Sequence, residues 1–382
     1  RVHLLIIPFG IIALGICYQL LGRFLDARRY GPPGRLISVG GQRMHIVSAG
    51  EGRPTVVFES GIAASSINWD RVRREIAGFA RVCVYDRAGY AWSDRPRTPR
   101  TPETLVSELR ELLHAAREEP PYILVGHSFG GLITQLYARM HPDEVASLVL
   151  VDPALLVEWS DPSADRQALL ARGVRLARRG AWLGRIGFVR LALTLASAGA
   201  RRVPRTMAAV SGGRGASAID RIIGELRKLP PELLPVIRAH WSRAEPFIAM
   251  AEHFAMLPAM CSALARRTQP AAIPVAVISG AHLSADQCAE HEAIARASAA
   301  GRHIIAERGG HWVHLDAPEI VVAAVRDMFH SYRGVCGCAP ESTFRERSQR
   351  EGPETAVSRT AAADARLRPG NEAEGGSWRG VL

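Results

Sequence analysis

The sequence predicts an α/β protein: a mostly parallel central sheet with helices on both faces, a helical cap inserted into it, and a transmembrane helix ahead of it. Three observations carry this. Short apolar runs alternate with helical periodicity between residues 31 and 156. The strand signal disappears over 157–268 and resumes over 269–332. An uncharged apolar run stands before all of it.

That run comes first. Leu4 to Leu21 holds no charged residue, close to the roughly 20 apolar residues a bilayer-spanning helix needs and longer than the roughly 7–15 of a signal-peptide core. Residues 1–30 therefore read as a single-pass anchor and linker, with a secreted chain after signal cleavage as the alternative. Tyr18 suits an interface, and Arg23, Arg28 and Arg29 flank the C-terminal end. The positive-inside rule sets that end in the cytoplasm unless residues preceding Arg1 outweigh it.

A Gly-Pro-Pro-Gly linker at 31–34 opens the first part of the core, 31–156. Residues 35–39 and 43–47 read as two strands around Gly40-Gly41, a hairpin. Residues 54–59 form a third strand, 69–77 a helix and 81–86 another strand, followed by a loop to Ser93. Leu105, Leu109, Leu112 and Leu113 give 104–117 an amphipathic helical face. A strand at 122–125, a helix at 132–140 stopped by His141-Pro142 and a strand at 146–151 complete this part. Residues 157–268 read as arginine-studded helices broken by Gly and Pro, the cap. Strands at 273–279 and 302–306 and a helix at 318–329 make the second part of the core, 269–332. The tail 333–382 is Gly-, Pro-, Arg- and Glu-rich without apolar period and reads as disordered.

Composition narrows the function. The 382 residues are 47% hydrophobic and 22% charged, which supports a packed core. The net charge of +11 raises nucleic-acid binding, but Lys228 is the single lysine and the arginines are scattered. No nucleic-acid partner is expected: the joint richness in alanine and arginine reads as coding bias, with attraction to anionic lipid ranked only above a nucleic-acid patch. Cys17, Cys83, Cys261, Cys288, Cys336 and Cys338 fit neither a zinc site nor a disulfide framework and read as free or buried thiols. No metal and no cofactor are expected.

The chemistry sits in Gly126-His127-Ser128-Phe129-Gly130, a Gly-x-Ser-x-Gly between a predicted strand and a predicted helix. A serine there occupies a strained turn that holds its hydroxyl clear of the backbone at a helix N-terminus, where developing negative charge is favoured. Ser128 is the expected nucleophile, and a serine hydroxyl needs an adjacent base. With partners in the order serine, acid, histidine, the base belongs after the last strand. His311 stands there behind Gly309-Gly310, and is preferred to His314.

The chain resembles bacterial α/β-hydrolases of the esterase/lipase-like group from about Gly34 to Phe329. The resemblance rests on Glu59-Ser-Gly61-Ile62, Asp86-Arg-Ala-Gly-Tyr-Ala-Trp-Ser93, the Ser128 motif, Leu150-Val-Asp152-Pro and Gly310-His311-Trp-Val-His-Leu-Asp-Ala-Pro318. It implies a Ser-His-acid mechanism, a cap over the site and an oxyanion hole, with Ile62 and Phe129 N–H as donors. Ser60-Gly61 stands where many relatives carry His-Gly, a change that backbone donors tolerate, and Ala91 stands where glycine is usual. The acid lies between Asp152, favoured, and Asp286; Asp86 and Asp316 read as structural. Relatives with an aspartate nucleophile hydrolyse epoxides or haloalkanes, which Ser128 argues against. The implied substrate is a small acyl compound, apolar given the cap's composition, with an ester, thioester, lactone or amide bond. The alternative is a non-catalytic receptor or scaffold on the same fold.

Overall fold

The computed structural model describes residues 2–197 and 228–335. Eight strands form one sheet: β1 (Arg35–Val39), β2 (Gln42–Ala49), β3 (Thr55–Glu59), β4 (Val82–Tyr85), β5 (Tyr122–His127), β6 (Val145–Val151), β7 (Val275–Gly280) and β8 (Arg302–Ala306). Their order is β1-β2-β4-β3-β5-β6-β7-β8. The first two pairings are antiparallel and the other five parallel.

The parallel strands are buried on both faces, and their side chains alternate between two cores. Val57, Leu124, Leu148 and Leu150 face one way; Val56, Phe58, Ile123, Val125, Val149 and Val151 face the other. The first face is covered by α3 (Pro102–Ala115) and α4 (Phe129–Met140), through Leu105, Leu109, Leu132 and Leu136. The second is covered by Trp69, by α2 (Asp70–Ile76) and by the last helix, Pro318–Val335, through Val321, Val325 and Phe329.

From β3 the chain passes to β4 on one side and then to β5 on the other, so the crevice beyond the C-terminal ends of β3 and β5 is the switch point where ligands bind in such sheets. Ser128 follows β5 directly.

Every element described within the predicted cap is helical: α5 (Leu156–Ser160), α6 (Ala164–Arg185), α7 (Phe188–Ser197), α8 (Leu234–Trp241) and α9 (Glu245–Ala265), besides a 3-10 turn at Pro231–Leu233. Ahead of the core runs α1, Val2–Arg29. By length and composition, Phe9–Arg29 is apolar enough to cross a membrane, and only 6% of that stretch is buried. Glu245–Ala265 meets the same criterion but is half buried within the protein.

Element ends shift by a few residues throughout, and three departures from expectation are larger or bear on the site. Helix α4 starts at Phe129, immediately after the serine, because the elbow turn leads straight into it. A helix over Ala285–Arg296, α10, lies between the last two strands, where no helix was expected; only its capping box, Ser284 with Gln287, marks it locally. After α11 (Val313–Asp316), the final helix, α12, continues to Val335, beyond the expected Phe329 and into the predicted tail. The rest of that tail, with Cys336 and Cys338, lies outside the described residues, as does 198–227 of the predicted cap.

Candidate active site

Ser128 has φ 53° and ψ −119°, a conformation few L-residues adopt. The glycines around it exist for contact. A Cβ on Gly126 would stand 2.5 Å from Thr134 Oγ1 and 2.6 Å from the Gly130 carbonyl. One on Gly130 would stand 2.4 Å from the Glu59 carbonyl. The turn is fixed by Ser128 N–H donating to the Val151 carbonyl at 3.1 Å and Ala154 N–H donating to the Ser128 carbonyl at 3.1 Å.

His311 comes to the serine from the loop after β8. Ser128 Oγ lies 3.1 Å from His311 Nε2, and His311 Nδ1 lies 2.6 Å from Asp152 Oδ2. With Nδ1 protonated, the ring donates to Asp152 and accepts from the serine. Asp152 is 2% exposed, sits at the end of β6 with φ 44°, and accepts Gly280 N–H at its other oxygen at 2.9 Å. His311 is exposed, 43% for its side chain.

Asp286 is elsewhere. It stands exposed in the first turn of α10, and no hydrogen bond joins it to His311. His314 is buried, stacked on Trp69 at 4.2 Å between ring centroids, and burial pushes its imidazole down to about 3. Asp316 accepts Gly310 N–H at 2.8 Å and pairs with Lys228, tying down the His311 loop. Asp86 bonds buried His45 at 2.7 Å and Ser66 N–H at 2.8 Å; its carboxyl is held below its ordinary value by His45 and these hydrogen bonds, against the opposing cost of burial.

The Ser60–Ile62 segment abuts Ser128: a Cβ on Gly61 would stand 3.3 Å from Ser128 Cβ. Neither Ile62 N–H nor Phe129 N–H finds an acceptor among the described residues, and both flank the serine, Phe129 as the first residue of α4. Backbone N–H groups without an acceptor are the kind of donor that can stabilise an oxyanion.

Sequence reasoning did not assign three further residues. Buried Arg87 donates to the carbonyls of Ser60 and Gly61 and to the Glu59 carboxylate, which also accepts from Tyr85. Its motif was visible in the sequence; its partner, 28 positions away, was not. His127 Nε2 donates to the His311 carbonyl at 2.8 Å, and burial above all holds this ring well below its ordinary value, so it is neutral. His253, from α9, stacks on Tyr90 and lies 5.3 Å from Phe129, joining the cap to the elbow. Asp152, His282 and His311 each bring one ligand atom within 4.8 Å of the others, a grouping that includes the acid–histidine contact.

Residues 54–318, more than half of the chain, match the alpha/beta hydrolase fold family, and the chain belongs to it. Over 101 residues it is 42% identical to the uncharacterized protein YqjL of Bacillus subtilis (strain 168), covering 26% of this chain and 40% of that protein. The chain thus spans less than half the length of that relative. An esterase from Thermogutta terrifontis superposes with a TM-score of 0.53 at 21% identity, covering 78% of this chain and 98% of that one. The epoxide hydrolase VrEH1 from Vigna radiata superposes with a TM-score of 0.58 at 16% identity, covering 78% and 97%. At these identities the likeness is of fold, and the fold supports a hydrolase.

Proposed function

We propose that this protein is a membrane-anchored serine hydrolase that cleaves an ester-type bond of an apolar acyl substrate. The observation that carries the reading is the hydrogen-bonded series Ser128 Oγ–His311–Asp152, at 3.1 and 2.6 Å, with Ile62 and Phe129 N–H lacking an acceptor among the described residues.

Ser128 Oγ attacks the substrate carbonyl carbon as its proton passes to His311 Nε2. The carbonyl electron pair moves to oxygen, and Ile62 and Phe129 N–H donate to it. Collapse breaks the bond to the leaving group, which takes the proton from His311, and the acyl group remains on Ser128. Water then gives a proton to His311 and attacks the acyl carbon; collapse returns that proton to Ser128 and frees the acid. Asp152 holds the imidazole in its tautomer and stabilises the imidazolium. A serine nucleophile favours carboxylic esters, thioesters, lactones or amides over epoxides. The apolar α1, with Arg28 and Arg29 in its last turn, supports the anchor.

The test is labelling by a fluorophosphonate. Wild type is expected to label, and Ser128→Ala to lose all labelling while keeping its circular dichroism. Folded wild type that does not label would favour a non-catalytic receptor or scaffold instead.

A further inference from the structure

Helix α1 is not a free anchor. Phe9, Leu14, Leu20, Leu21, Phe24 and Leu25 are exposed, but Gln19 is 3% exposed. Gln19 Nε2 donates to the Ser242 carbonyl at 2.9 Å, and its Oε1 accepts from Arg190 Nε at 2.8 Å. Arg190 in turn pairs with Asp26 at 2.7 Å, and Arg23 with Glu245 at 3.2 Å. Beside this clamp the backbones touch: a Cβ on Gly15 would stand 2.3 Å from the Ile186 carbonyl, and one on Gly187 2.4 Å from the Gly15 carbonyl. The anchor and the α6–α7 corner of the cap are one packed unit.

If α1 enters the bilayer, the α6–α7 corner clamped to it is held at the membrane. The surface there suits such a position. Phe188, Leu191 and Leu195 recur at helical spacing on α7 and are exposed. On α6, Trp182 is 54% exposed, with exposed Arg178, Arg179 and Arg185 on the same helical face. These three arginines have no carboxylate partner among the described residues, whereas Arg166 on the same helix is paired with Glu158. Tryptophan at headgroup level beside unpaired arginines above aliphatic side chains matches an anionic lipid surface.

Resting on the membrane reading of α1, we propose that the cap itself docks into an anionic phospholipid bilayer: Phe188, Leu191 and Leu195 enter the hydrocarbon, Trp182 lies at its boundary, and Arg178, Arg179 and Arg185 meet lipid phosphates. The chain leaving α1 supports a functional purpose. Tyr30 packs with Ile67 and with Ile237 of α8, and Ile237, His240 and Trp241 line a cavity against Ala63 and Ala64 of the oxyanion loop. The chain leaving α1 thus packs beside the residues that follow Ile62, and an acyl lipid is the substrate class a lipid-docked cap would serve.

The experiment uses the full chain reconstituted with vesicles of phosphatidylcholine alone or mixed with phosphatidylglycerol, with and without bromine on the acyl chains. Flotation reads attachment and bromine quenching of tryptophan emission reads contact with hydrocarbon. Wild type is expected to float and to be quenched, and Trp182→Phe to float equally but lose most of the quenching. The combined R178E, R179E and R185E variant is expected to lose quenching in the mixed vesicles and to match wild type in phosphatidylcholine alone. Protein that floats while Trp182→Phe quenches like wild type would overturn the docked cap and leave the anchor standing. Protein that does not float would overturn both. Equal quenching of wild type in the two vesicle types would overturn the anionic requirement.

Discussion

Arg87 Nη2 donates to the Gly61 carbonyl at 2.5 Å. That carbonyl belongs to the peptide whose other end is Ile62 N–H, and in a trans peptide the two point in opposite directions. The grip on that oxygen therefore fixes the Ile62 N–H, which points away from the guanidinium. The guanidinium is held in place by Glu59, which accepts from Arg87 and Tyr85.

On the proposed mechanism, Arg87 is a positioning residue for the Ile62 oxyanion donor. Lysine has one terminal nitrogen and cannot stand both where Nη1 meets Glu59 and Ser60 and where Nη2 meets Gly61. Arg87→Lys is expected to lower kcat about 10²-fold, the scale of losing one oxyanion donor, with KM nearly unchanged. Arg87→Ala leaves Glu59 buried without its partner and should cost about 3–5 kcal/mol of stability. Steady-state kinetics beside urea unfolding separates the two, and an Arg87→Lys that keeps wild-type kcat would remove the positioning role.

Strain at Ser128, the proposed nucleophile, gives a second expectation. Glycine adopts φ 53°, ψ −119° freely, whereas serine there is strained by about 1–3 kcal/mol. Ser128→Gly should abolish turnover and raise stability by about 1 kcal/mol. Ser128→Ala should abolish turnover with little gain, because alanine has the same Cβ. Thermal melts that rank glycine level with alanine would count against stored strain.

The acid was the part of the site least legible in the sequence, for a physical reason. Ser128 and His311 are marked by local turns with glycine signatures, but two aspartates follow consecutive strands, and only distance discriminates them. Asp152 stands 2.6 Å from His311 Nδ1, while Asp286 is on the exposed first turn of a helix that the sequence hardly announces. Strand alternation was legible because parallel strands are almost wholly apolar. The Gln19–Arg190 bond was not, since it joins residues 171 apart and each alone reads as a defect in an apolar helix.

Asp152→Asn should therefore lower kcat by about 10³–10⁴, because an amide facing Nδ1 favours the wrong tautomer. The fold should survive, since asparagine tolerates the φ of 44° at this position. Asp286→Asn should stay within twofold of wild type, an estimate of roughly 0.4 kcal/mol or less that fits an exposed side chain away from the site. Fluorophosphonate labelling rates for the two variants decide the matter, and loss in Asp286→Asn alone would reverse the assignment.

Buried neutral imidazoles make stability depend on pH. Burial above all pushes His314 and His240 down to about 3, with nearby positive charge from His311 and Lys228 adding at His314 and from Arg243 at His240. His127 and His253 are also held well below their ordinary values, chiefly by burial. In the unfolded chain each takes a proton near pH 6.5. As pH falls below that, the unfolded state binds protons that the folded state refuses, so stability drops from about pH 6.5 toward about pH 3, by at most roughly 1.4 kcal/mol per pH unit for each such histidine. His314→Phe keeps an aromatic ring against Trp69 and removes two ring nitrogens that have no partner among the described residues. Urea unfolding at pH 7, 6 and 5 should give this variant a shallower slope than wild type by close to one proton, while at pH 7 its stability equals or exceeds that of wild type. Parallel slopes would mean that His314 takes up its proton in the folded protein as readily as in the unfolded chain.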